Sequence, residues 1–90
     1  MTGSIELQMI SKILTSTSES EIDALCDFDA SYYSIFKKHI QFILTHREKY
    51  GDVPDLFTFQ AEFPDIELVK VTEPIEYLTQ SINKNKQHIL

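Results

Sequence analysis

His46-Arg-Glu-Lys-Tyr-Gly-Asp-Val-Pro-Asp55, followed by Leu56-Phe-Thr-Phe-Gln-Ala-Glu-Phe-Pro64, is the stretch that decides the fold. A helical pattern runs into it and stops at Gly51. Glycine just past a last helical turn takes the left-handed conformation without steric cost. Pro54 then disfavours helix at Val53, and the Asp55 carboxylate is suited to cap a new helix starting at Leu56. The stretch therefore predicts two helices joined by a tight corner.

Upstream of the corner, the spacing predicts one helix over roughly residues 30–50. On a wheel advancing about 100° per residue, Tyr32, Tyr33, Phe36, Ile40, Ile43, Leu44 and Tyr50 fall on one side. Ile35 and Phe42 widen the apolar stripe to roughly 200°, so this helix must meet more than one neighbour. Leu7, Ile10, Ile13 and Leu14 predict an earlier amphipathic helix over residues 5–16. The Thr15–Ser20 run ends it, and Ser18-Glu-Ser-Glu21 matches a capping box for a short helix from Glu19 to about Asp27. That helix is expected to bury Ile22, Leu25 and Cys26, with Asp29 as a cap for the third helix.

Downstream, Leu56, Phe59 and Phe63 share a face of the fourth helix, while Phe57 points nearly opposite. Residues 66–71 read as an extended connector. Thr72 or Glu73 is placed to cap a last helix, with Pro74 tolerated in its first turn and Ile75, Leu78, Ile82 and Ile89 on its apolar side. The Asn83–Gln87 stretch is a weak helix former, so the end, about residues 83–90, is expected to fray. With two glycines and three prolines, turns are few and elements long. The fold class expected is a small all-α bundle, about five helices around one long central helix. The whole of residues 1–90 forms a single domain.

The formal net charge is −6. Binding along a nucleic-acid backbone requires a basic stripe, and residues 1–30 set six carboxylates against Lys12 alone, which makes direct nucleic-acid binding unlikely. Lys37, Lys38, Arg47 and Lys49 read as a solvated helix face. Cys26 is the only cysteine, so no internal disulfide exists. No apolar run approaches membrane-spanning length and no secretory signal is visible, which makes the cytoplasm the expected compartment.

The chemistry of nucleotide hydrolysis is missing. No G-x-x-x-x-G-K-[ST] loop occurs, and no G-x-S-x-G elbow. His39 and His46 share one helix flank but lack the third and fourth ligands zinc needs. Asp27 and Asp29 beside a helix start are explained by capping. Neither catalytic residues nor cofactors are expected. The remaining signal is aromatic density, most of it on predicted core faces. Ile35, Phe42 and Phe57 fall off those faces, which makes them the candidate protein interface.

In order along the chain, several pieces resemble the N-terminal domain of DnaB-type replicative DNA helicases, especially their phage-like branch. These are Met9-Ile-Ser-Lys-Ile-Leu14, an acidic second helix, a Tyr/Phe-rich third helix, Lys49-Tyr-Gly-Asp-Val-Pro-Asp55, Thr58-Phe-Gln-Ala-Glu-Phe-Pro64 and Glu73-Pro-Ile-Glu-Tyr-Leu78. The resemblance covers about Met9 to Ser81. It implies an all-α head that precedes a linker helix and a RecA-like ATPase motor. Such a head forms the collar of a hexameric ring and helps recruit primase, without hydrolysing ATP itself. The family's head is followed by a helical hairpin that pairs neighbouring domains. The sequence stops near Leu90, before that hairpin, so a fragment or a free-standing relative with weak self-association is expected. Leu56 and Phe57 depart from the polar residues expected there and point to a local partner. A stand-alone adaptor or inhibitor of a DNA-replication protein is the alternative.

Overall fold

A computed structural model describes the backbone of residues 2–89 and the side chains of residues 5–84. Every regular element among them is helical: α1 (Thr2–Thr15), α2 (Glu19–Leu25), α3 (Lys37–Tyr50), α4 (Leu56–Glu62) and α5 (Ile75–Ile89), with a 3-10 turn at Ala30–Tyr32 between α2 and α3. The all-helical expectation holds. The end expected to fray, about residues 83–90, is helical as far as Ile89, and the Ile89 side chain lies outside the described residues.

The core is drawn from all five helices. Met9, Ile10 and Ile13 of α1 meet Leu25 of α2, Tyr33, Ile40 and Ile43, Phe59 of α4, and Leu78 and Ile82 of α5, all fully buried. The most extensive helix packing is between α1 and α5. Cys26 packs half-buried against this core, and burial, reinforced by Asp27, pushes its thiol up to about 11. A thiol held protonated in this way is a weaker nucleophile than a free cysteine.

The expected single helix over residues 30–50 is instead broken in two, and this is the main correction. Asp29 caps the 3-10 turn through the Ser31 N–H. Tyr33 is then extended, with φ −115° and ψ 147°, and helix resumes only at Lys37. The cause lies on α1. Glu6, fully buried, accepts hydrogen bonds from the N–H groups of Ser34, Ile35 and Phe36 at 2.9–3.1 Å and from Ser34 Oγ at 3.0 Å. Amides that donate to this carboxylate cannot also donate to the carbonyls four residues back, as one continuous helix would require. The same carboxylate lies before α3, whose first turn carries Lys37 and Lys38, cations at the positive end of the helix dipole. A buried anion there offsets that conflict. No helix is therefore the long central one: α1 and α3 have 14 residues each and α5 has 15.

Smaller departures have equally local causes. Ser18 accepts from the Glu21 N–H as expected, but the Glu21 carboxylate takes the Ser16 hydroxyl, and the Ser18 N–H goes to Ser16 Oγ. Helix α2 ends at Leu25 with Cys26 as its C-cap, and Arg47 of α3 pairs with Asp23 on its surface. Helix α5 begins after Pro74, whose carbonyl accepts from the Tyr77 and Leu78 N–H groups, so neither Thr72 nor Glu73 sits at the cap position. Tyr50, expected in the core, is exposed, while Tyr32 and Phe36 are half-buried.

The corner forms as read. Gly51 is left-handed, with φ 81°, and its N–H returns to the Arg47 carbonyl at 2.7 Å. His46 Nδ1 lies 2.9 Å from the Asp52 carbonyl, which can only accept, so Nδ1 carries the proton there. Pro54 is buried, and Asp55 caps α4 through the Thr58 N–H at 2.7 Å. The segment after α4 turns at Pro64–Asp65, then runs without regular structure, and is tethered to α1 where the Val69 N–H donates to the buried Ser11 Oγ at 3.1 Å.

Among the described residues the buried Tyr33 hydroxyl has no hydrogen-bond partner, and burial beside Cys26 and Glu6 pushes its pKa well above the usual phenol range. An unsatisfied buried hydroxyl costs about 1–3 kcal/mol. Tyr33→Phe is therefore expected to raise stability, by about 1 kcal/mol in urea unfolding. A clear loss of stability would mean that the hydroxyl is satisfied.

Candidate protein-interaction surface

The three residues singled out from sequence differ in exposure. Phe57 lies on the outer side of α4 and is 82% exposed, the most open of the large apolar side chains among the described residues. Two residues on, Phe59 is fully buried. On a helix of 7 residues that opposition is fixed: burying Phe59 turns Phe57 to solvent. Ile35 is 61% exposed. It stands in the turn before α3, not on a helix flank, because Glu6 holds its amide.

Phe42 is placed differently from expectation. It is half-buried, because α4 folds back over that flank of α3. Its ring meets Phe63 edge-on at 5.6 Å and lies 6.4 Å from Phe59. The pairing of Ile35 and Phe42 a heptad apart on one free flank therefore fails. Two exposed aromatics that sequence reasoning did not single out are Tyr50, at the end of α3, and Tyr77 on α5. Tyr50 stacks near His46 at 4.6 Å, with the Lys49 ammonium 5.3 Å from its ring centre. The wheel placed Tyr50 on the core side, but α3 outruns the core at that end.

Electrostatics around the corner are local. The Thr58 N–H beside Asp55 holds its carboxyl below the usual range, with a further contribution from His46. His39 sits among rings: Phe63 at 4.3 Å, Phe36 at 5.0 Å and Phe59 at 6.3 Å. Its Nδ1 has no hydrogen-bond partner among the described residues. Desolvation, then Lys38, lowers its pKa. Among the described residues, no three His, Cys, Asp or Glu side chains are grouped to hold a metal, and no helix is long and apolar enough to cross a membrane.

The His39 shift fixes a pH dependence. A folded pKa below the unfolded value of about 6.5 means the unfolded chain binds the proton more readily. This contribution is complete above that pH and is lost as pH falls from there through the lower folded value. The melting temperature is expected to fall between about pH 7 and pH 5 less steeply in His39→Gln than in the wild type. The difference is modest, because the ring is partly open to water. Equal slopes would assign the effect to other groups.

Two clefts lie between the segment after α4 and α1. One, about 520 Å³, lies among Leu7, Gln8, Tyr77 and residues 69–73. The other, about 290 Å³, lies among Leu7, Phe36, His39, Asp65, Ile66 and Glu67. Comparison with protein families, with curated proteins and with solved structures finds no match to this chain.

Proposed function

We propose that this chain is the N-terminal scaffold and protein-interaction domain of a replicative DNA helicase. In this reading it contributes to the collar of the hexameric ring, helps recruit primase and does no chemistry of its own. The observation that carries an interaction role is Phe57: a ring 82% exposed on a short helix whose other face is pinned in the core. An exposed phenyl ring on an ordered helix has only two side-chain torsions to fix when it docks, and such anchors often dominate an interface. The helicase assignment rests on the ordered series of sequence pieces from Met9 to Ser81.

The test is binding of the purified chain to the replicative helicase motor and the primase of the same source, measured by calorimetry. Phe57→Ala is expected to keep the wild-type melting temperature. It should weaken binding by roughly thirtyfold, the equivalent of about 2 kcal/mol. Undiminished binding by Phe57→Ala removes Phe57 from the interface, and no binding to either protein removes the helicase reading. Inhibition of unwinding by the chain added in trans would favour the stand-alone adaptor or inhibitor.

A further inference from the structure

We propose that the 290 Å³ cleft between α1, the start of α3 and the segment after α4 is a receptor for one basic side chain, a lysine or arginine presented by a protein partner. Leu7, Phe36, Ile66 and His39 line it together with two acidic residues, Asp65 and Glu67. Both acidic side chains are exposed, and neither makes an ion pair among the described residues.

That combination suits a long side chain with a charged end. Lysine and arginine lay an alkyl stem on apolar surface and keep the charge at the rim. A cation over the face of an aromatic ring is attracted by the ring quadrupole, and Phe36 supplies a ring here. His39 is held toward its neutral form by its burial among phenyl rings, so it adds surface without adding a repelling charge. Lys38 lies close enough to act on His39 but does not line the cleft. The chain's net charge of −6 draws basic partners toward it over longer range. The larger cleft has no such bias, since Lys70 and Glu73 both line it. The geometry is also independent of Phe57 and of the helicase reading.

The experiment uses amide chemical shifts of the isotope-labelled chain, titrated with acetyl-arginine amide, acetyl-lysine amide and the neutral isostere acetyl-citrulline amide. The arginine or lysine compound is expected to give saturable shifts at Phe36, His39 and residues 65–67, and the citrulline compound is not. The double variant Asp65→Asn, Glu67→Gln changes only exposed groups and is expected to fold normally. It should weaken the response by roughly threefold or more. Equal responses to arginine and citrulline would reduce the cleft to unselective apolar surface and overturn the proposal. So would shifts centred on the acidic face of α2, shifts undiminished in the double variant, or no shifts at all. None of these outcomes bears on whether Phe57 binds a replication protein, so the two claims fail separately.

Discussion

Glu6→Ala is expected to cost about 2–4 kcal/mol, a large share of the roughly 5–13 kcal/mol available to a 90-residue domain. The carboxylate is fully buried and accepts from three consecutive amides and one hydroxyl. Hydrogen bonds to a charged group contribute about 1.5–3 kcal/mol each before the cost of burying the charge is subtracted. Removing the acceptor strands the Ser34, Ile35 and Phe36 amides. Ser34 and Ile35 are exposed, so water recovers part of the loss, which keeps the figure below the sum of the separate bonds. The change should lower the melting temperature by more than about 10 °C and speed hydrogen exchange of the Ile35 and Phe36 amides ahead of the rest of α3. Glu6→Gln retains one acceptor oxygen but turns an NH2 toward the Ser34 amide, so an intermediate loss is expected. A Glu6→Ala variant melting within a degree or two of the wild type would show that the anion is merely tolerated there.

Glu6 also marks where the sequence could be read and where it could not. Helix ends governed by neighbours in sequence were legible. Gly51, Pro54 and Asp55 act within a few residues of themselves, and the corner forms as their chemistry requires. Ser18 caps α2 as expected for the same reason, whereas Asp29 caps only the 3-10 turn that stands where the third helix was expected to begin. The break before α3 was not legible, because its cause is 28–30 residues away on another helix. Nothing between Ala30 and Phe36 is a strong breaker, and the apolar spacing there suits a helix. One signal was available in principle. Two lysines at Lys37 and Lys38 are poor neighbours mid-helix and worse at a helix start, and Glu6 interrupts the apolar face of the first helix. A carboxylate on a core-facing stripe needs a partner, and an unpaired helix start supplies one.

The candidate interface divides along the same line. Phe57 was found because its exposure follows from local helix geometry once Phe59 is inside. Phe42 was misplaced because the wheel ranks positions on one helix and cannot say where a later helix will lie. Helix α4 returns across α3 and covers that flank with Phe59 and Phe63. The cleft beside His39 is less legible still, being assembled from α1, the turn before α3 and a segment beyond residue 64.

Phe59→Ala tests how the corner carries that surface. Phe59 is the fully buried side chain of α4, and its ring lies 5.1 Å from Phe63, 6.3 Å from His39 and 6.4 Å from Phe42. Truncation should cost about 3–5 kcal/mol through lost burial and the cavity left behind. The consequence is more specific than the number. A helix of 7 residues has no stability of its own in water, because nucleation is costly and few bonds follow it. Without Phe59, α4 is expected to leave the core before the rest of the domain unfolds, exposing Phe42 and His39 and letting Phe57 reorient. Hydrogen exchange should rise first in residues 56–63, and partner binding should fall even where the remaining helices persist. Phe57→Ala, two residues away, should do the opposite, leaving stability within about 0.5 kcal/mol while weakening binding. If both variants lose stability alike, Phe57 is part of the core. If Phe59→Ala melts like the wild type, α4 is held by something other than its buried ring. Only the divergent pair of outcomes supports a helix whose inner face serves the fold and whose outer face serves a partner.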